Sequence, residues 1–277
     1  MTRLSSLLAL PGRLLLGAIL LLPITGCEIF LEPAGGLGES CVMHQFCRDD
    51  LVCIGDICSE LTFEFSEDFE GHSSMATLTD WEGAIGGNNG FAIDETTFSG
   101  DRVLAANEIG WSDQNLDYTG GVSSLWHDYE FRAEIAREDR GSQPGTAALQ
   151  ILKNGSAMGH YSVMGMESEY RIYRSFESGD WSILAKVSGW RLTSGVWYEA
   201  KFRNVVEPDQ TLLDAVVWER GTPEPQYGCT STPTDAFVCI SAVDDTAERL
   251  TAGSIAFQAN QGDQFKYFDD ARVLMNP

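Results

Sequence analysis

From residue 129 onward the chain alternates. In Tyr129-Glu-Phe-Arg-Ala-Glu-Ile135, the residues Tyr129, Phe131, Ala133 and Ile135 share one side of an extended strand. Glu130, Arg132 and Glu134 share the other. The same kind of pattern predicts strands at 147–153, 161–164, 170–174, 181–187, 197–204, 211–218, 254–259 and 265–274. Gly, Asp, Asn and Ser cluster between them, as at Ser178-Gly-Asp180 and Asn260-Gln-Gly-Asp263. Asn154-Gly155 separates two of these runs and is the favoured sequence of a two-residue hairpin turn. Helical periodicity is absent beyond the N-terminus, and only Asp245–Leu250 is expected to form a short helical turn. Many short strands with turn signals between them predict an all-β fold, a sandwich or barrel, over residues 61–277.

The N-terminus follows another pattern. Arg3 and Arg13 are its only charges, and Leu14 to Leu22 is uninterrupted apolar sequence. A transmembrane helix needs about 20 apolar residues, and Pro11 and Arg13 break any window of that length. A basic start, a short apolar core and small residues at its end describe a secretory signal. Ile24-Thr25-Gly26-Cys27 resembles the lipobox of bacterial lipoproteins. That resemblance implies cleavage after residue 26, acyl chains on Cys27, and anchoring in the cell envelope. Several chains on one residue hold firmly where a single chain would not. Glu28 in place of aspartate after the cysteine favours the outer membrane over the inner in enteric bacteria. Residues 27–40 hold one proline and three glycines and read as a lipidated tether, with a reach of ~40 Å when extended.

With Cys27 assigned to lipid, six of the seven cysteines remain. Cys41, Cys47, Cys53 and Cys58 form a C-x5-C-x5-C-x4-C cluster, and Cys229 and Cys239 lie near the C-terminus. In an exported protein this is a disulfide framework, and zinc sites use closer pairs. Four cysteines allow three connectivities; the interlocked pairing Cys41–Cys53 with Cys47–Cys58 is the one expected here, beside Cys229–Cys239. Residues 41–60 thus form a small disulfide-rich module. They resemble the cysteine-rich knots placed after the anchor of some exported bacterial proteins, and are read as a rigid spacer in preference to a small binding unit.

Composition then narrows the function. Hydrophobic residues make up 43% of the 277, which supports a core and excludes global disorder. Lys+Arg total 18 against 41 Asp+Glu, for a formal charge of −23. Residues 1–26 contain two arginines and no acid, so the body without them is still more acidic. Such a surface repels phosphate backbones, which excludes general nucleic-acid binding, and it stands off anionic lipid headgroups.

Several segments resemble the concanavalin A-like, laminin G-like jelly roll. Phe65-Ser-Glu-Asp-Phe-Glu-Gly71 is similar to its opening strand, followed by an early Trp81. Leu192-Thr-Ser-Gly-Val-Trp-Tyr198 is similar to the start of a middle strand. Ala252–Phe257 and Tyr267–Val273 are similar to the closing pair. The resemblance implies a β-sandwich in which the two ends of the domain pair within one sheet. It also implies a lectin-like role, and a structural calcium held between those ends by Asp68, Glu70, Asp269 and Asp270. Hard cations take several such oxygens.

Catalytic patterns are incomplete. The glucanases of this superfamily use a Glu-x-Asp-x-x-Glu strand, which the chain lacks. Glu130 and Glu134 share a face, but Arg132 between them favours two ionised carboxylates, which is wrong for a general acid. Arg132-Ala-Glu-Ile135 and Gln150-Ile-Leu152 resemble two of three motifs of jelly-roll alginate lyases, yet leucine stands where those enzymes carry histidine. None of His44, His72, His127 and His160 falls in a zinc spacing. For binding, sugars stack their C–H faces on aromatic rings. Trp111, Trp126 and Trp181 lie at expected loops or strand ends, and the polar strand positions Arg132, Glu134 and Gln150 form a second candidate surface. The expected function is non-catalytic recognition of a glycan or surface protein outside the cytoplasm. A polysaccharide lyase or hydrolase and a purely structural or adhesive envelope protein are the alternatives.

Overall fold

The computed structural model describes residues 51–275 apart from 55–56, 61–62, 84–89, 96–99, 109–112, 140–145, 154–158, 167, 177, 229–233, 235 and 261–263. The expected signal, Cys27 and its tether, Cys41, Cys47, the Asn154-Gly155 turn and Trp111 therefore lie outside the described residues. Strands β1 (Leu51–Ile54) and β2 (Ile57–Glu60) pair as a two-stranded sheet of their own, with Cys53 opposite Cys58 in the register.

The remaining described strands form two sheets. One runs in the order β12 (Trp181–Ser188), β11 (Glu169–Ser175), β10 (His160–Met166), β9 (Thr146–Lys153), β16 (Ser254–Asn260), β7 (Asp113–Tyr118), β4 (Trp81–Gly83). The other runs β15 (Phe237–Asp244), β14 (Thr211–Glu219), β13 (Trp197–Val206), β8 (Tyr129–Asp139), β17 (Gln264–Met275), β6 (Arg102–Glu108), β5 (Gly90–Glu95). Strand β3 (Phe63–Glu67) pairs with the far half of β17, so the two ends of the domain meet in one sheet as expected. Residues 245–250 form a bend and turn without a helix.

Alternation decides which side chains fill the space between the sheets. Phe131, Ala133 and Ile135 from β8 are buried, and so are Phe202, Val217, Phe268 and Val273 from its sheet. Leu149, Ile151, Val163, Ile172 and Phe257 meet them from the opposite sheet. Apolar side chains alternate onto the inner face of each sheet and make the sandwich, while β9, β10 and β16 are buried on both faces.

Two phenols tie the layers together. Tyr129 on β8 reaches across and accepts the Leu152 N–H at 2.7 Å, while its hydroxyl donates toward the Ser254 carbonyl at 2.9 Å. Leu152 sits at a bulge with φ 51, and Gly253 lies so close that a Cβ there would stand 2.4 Å from its carbonyl carbon. In the reverse direction, Tyr161 on β10 donates to Asp244 on β15 at 2.6 Å, and Arg174 on β11 pairs with the same carboxylate at 2.6 Å. Tyr129→Phe strands the Leu152 amide in a buried bulge, at a cost of about 1–3 kcal/mol. Thermal melting should record a fall of several degrees for a domain of this size; an unchanged Tm would show that the hydroxyl holds nothing.

Candidate functional site

The outer face of the eight-stranded sheet is closed by its own charges. Arg132 pairs with Glu130 on β8 and donates through both terminal nitrogens to Glu224 at 3.1 Å. Lys201 on β13 reaches Glu224 at 2.7 Å and the Pro225 carbonyl at 2.9 Å. Tyr227 lies over Lys201 and Arg203, 4.3 Å and 4.1 Å from its ring centre, and donates to Glu130 at 2.6 Å. Residues 220–228 therefore strap this surface. Burial would raise the Glu224 carboxyl, but Arg132 and Lys201 outweigh it and hold the group below the usual carboxylate range. Cys239 beside the strap is disulfide-bonded; its expected partner Cys229 lies outside the described residues.

Glu134 pairs with Arg220 at 2.9 Å and stands opposite Asp269 in the register. Burial pushes Asp269 up to about 7, against a bond from the Asp270 amide, while Glu134, Asp270 and Glu70 add repulsion. The four expected calcium ligands are individually engaged. Asp68 accepts the Glu70 amide, Glu70 accepts the Arg102 amide, Asp269 accepts the Asp270 amide, and Asp270 pairs with Arg272. Among the described residues no group of three His, Cys, Asp or Glu side chains that could hold a metal ion is found.

Gln150 is on the other side of the molecule. Strands β8 and β9 belong to different sheets, so Arg132 and Glu134 face away from Gln150, and the single polar surface expected from the three is corrected. Directly opposed residues in antiparallel strands share a face. On the outer face of the seven-stranded sheet, one row therefore runs Ile183, Tyr173, Ser162, Gln150, Ala256, Asp117. Beside it lie Trp181, Ser175 and His160 on one flank, and Met164, Ala148, Gln258 and Asn115 on the other.

The polar groups of this face are linked. The Gln150 amide spends one hydrogen on Asn115 Oδ1 at 3.1 Å and the other on His160 Nε2 at 3.0 Å. With that assignment His160 Nε2 is an acceptor and the ring proton is on Nδ1. Tyr173 and Ser162 both donate to Gln258 Oε1, at 2.7 and 3.3 Å. The His160 and Tyr173 rings meet edge to face at 6.0 Å. Gln150, Ser162, Gln258 and His160 are buried, at 0%, 0%, 2% and 5% exposure. Lys153 and Asp117 pair at 3.6 Å at the far end of the face. Burial raises the Asp117 carboxyl, with Lys153 opposing and Glu82 adding to the rise.

The tryptophans divide. Trp181 on the edge strand β12 is 62% exposed, as a stacking platform requires. Trp126 is corrected from a loop ligand to a core residue: it is buried, stacked on Tyr118 at 5.6 Å and edge-on to Tyr129 at 6.0 Å. Tyr173, Gln258 and Ser162 were not among the expected site residues. Their alternation was visible, but the pairing of β16 with β9 and β7 that gathers them was not.

No family model and no curated protein matches the sequence. Solved structures do. The carbohydrate recognition domain of Emp47p aligns with a TM-score of 0.51 at 9% identity, over 78% of this chain and 97% of that chain. The metal-free Emp46p domain aligns at 0.50 with 10% identity, over 77% and 98%. A carbohydrate-binding module from Bacillus subtilis aligns at 0.45 with 17% identity, over 71% and 96%. The chain has an all-β, two-sheet sandwich fold similar to that of these carbohydrate recognition domains. At these identities the likeness shows the fold alone.

The raised Asp269 generates a pH signature. Its folded-state value lies above the ordinary aspartate value, so the folded protein binds the extra proton. Stability from this group is present at acid pH and is lost as pH rises toward 7. Asp269→Asn keeps the acceptor for the Asp270 amide and removes the charge. It should raise Tm by about 2–4 °C at pH 8 and change little at pH 4. A gain that is equal at both pH values would contradict the assignment.

Proposed function

We propose that the protein recognises glycan without catalysis, through the outer face of the seven-stranded sheet. The observation that carries this reading is the pairing of exposed Trp181 with the hydrogen-bonding row beside it. Trp181 is opposite Ser175, and Ser175 is opposite His160. An aromatic platform next to amide, imidazole and hydroxyl groups suits a sugar, which offers C–H faces and hydroxyls together. The opposite outer face supports the choice, because Arg132, Lys201 and Arg203 there are already met by Glu224, Glu130 and Asp214. We further propose that this domain is exported and held to the envelope by lipid on Cys27, on the strength of Ile24-Thr25-Gly26-Cys27.

A lyase is the second reading. Gln150, His160 and Tyr173 do come together, as such an enzyme would want. The arginine of the pattern, Arg132, lies on the opposite outer face and is held by Glu130 and Glu224. The chemistry that would neutralise a uronate is therefore missing from its expected place.

A polysaccharide panel with purified protein, in calcium and in chelator, tests both readings. Saturable binding with intact sugar supports recognition. Shortened chains or ultraviolet-absorbing unsaturated products replace it with an enzyme. Trp181→Ala should weaken binding about tenfold or more while leaving Tm within about 2 °C. Unchanged affinity in that variant would remove Trp181 from the site.

A further inference from the structure

We infer that the Asp117 end of this face is a subsite for a sugar residue that brings hydrogen-bond donors and no negative charge, a neutral or an amino sugar, and that it disfavours uronates. The inference rests on the glycan reading above. Asp117 and Gln150 are both register partners of Ala256, so they flank it with backbones ~10 Å apart. The two neighbours between and beside them, Ala256 and Ala148, are the smallest side chains of the face. Gln150 Oε1 and Asp117 Oδ1 are both buried, and neither meets a hydrogen-bond partner among the described residues. Both atoms are acceptors. The Gln150 amide hydrogens are already spent on Asn115 and His160, so the oxygen is what remains. Buried acceptors are costly until a donor reaches them. Sugar hydroxyls and ammonium groups are such donors, and a carboxylate is not.

Charge points the same way. Glu82 on β4 is the register partner of Asp117, which places two carboxylates side by side at this end. Lys153 is the cation paired with Asp117. At the other edge Lys186 and Arg171 share Glu169. A uronate would enter a negative field with its counter-charges already engaged, on a chain of net charge −23.

The test is isothermal titration of the full protein with neutral oligosaccharides, hexosamine oligomers and uronate oligomers of matched length. Neutral or amino oligomers should bind about tenfold or more tighter than uronates. Gln150→Leu should weaken neutral-sugar binding about tenfold by removing one acceptor. Asp117→Asn releases Lys153 and should narrow the gap to uronates several-fold. Uronates binding equally well or better to the unmodified protein would overturn this inference alone, whether or not the variants fold. Folded Gln150→Leu and Asp117→Asn proteins with neutral-sugar affinity within twofold of the original would show that the acceptors hold only water, which also overturns it. Failure to bind every member of the panel would overturn the glycan reading and this inference with it.

Discussion

The long ladder between β8 and β17 sets the chemistry of the whole surface. These strands pair from Asp139 opposite Gln264 to Tyr129 opposite Met275, with one irregularity between Asp269 and Arg272. The irregularity contains Asp270 at φ 54, a conformation an aspartate adopts more readily than most residues. It keeps Phe268 and Val273 both facing the core. It also brings Glu134 opposite Asp269 and Arg132 opposite Arg272. Like charges directly across a pair of strands destabilise it. Each of these pairs is answered from elsewhere: Arg220 meets Glu134, Asp270 meets Arg272, and Glu130 and Glu224 meet Arg132.

The answer has a spatial cost. Arg220 and Glu224 both belong to the 220–228 strap, so neutralising the ladder draws that segment across the outer face of its sheet. Tyr227 then lies on Lys201 and Arg203. The strap presents little apolar surface of its own to the sheet apart from Tyr227 and its prolines, and its polar anchors are ion pairs and hydrogen bonds. A face whose ionic groups are consumed internally offers little to a ligand. The same register that packs the core thus leaves the other outer face as the one proposed for recognition.

How much of this was legible in the sequence depends on the range of the interaction. Alternation within Tyr129–Ile135 places Phe131 inward and Arg132 outward without knowledge of any partner, and the structure agrees. The meeting of the first and last strands followed from resemblance, and β3 does pair with β17. What failed was the step from one strand to the next. Arg132 and Gln150 both alternate outward, but residues 140–145 join strands of different sheets, so outward means opposite directions. Trp126 looked like a loop aromatic because nothing local shows that Tyr118 and Tyr129 converge on it. Gln258 stayed invisible as a site residue because its donors, Tyr173 and Ser162, are about 90 residues away in the chain.

The fold alone does not select a function, since the same sandwich carries many. Here the two outer faces differ, and the difference supports the proposed one. On one, each named cation has its counter-ion, although Arg203 Nε is buried without a partner. On the other, the network stops short: Gln150 Oε1 and Asp117 Oδ1 end as buried acceptors. A stable sheet gains nothing from carrying acceptors in that state, because apolar residues at the same positions would cost less. Two buried acceptors beside an exposed tryptophan are therefore the physical argument for the proposed donor-bearing ligand, one that the low-identity likeness to carbohydrate recognition domains could not supply.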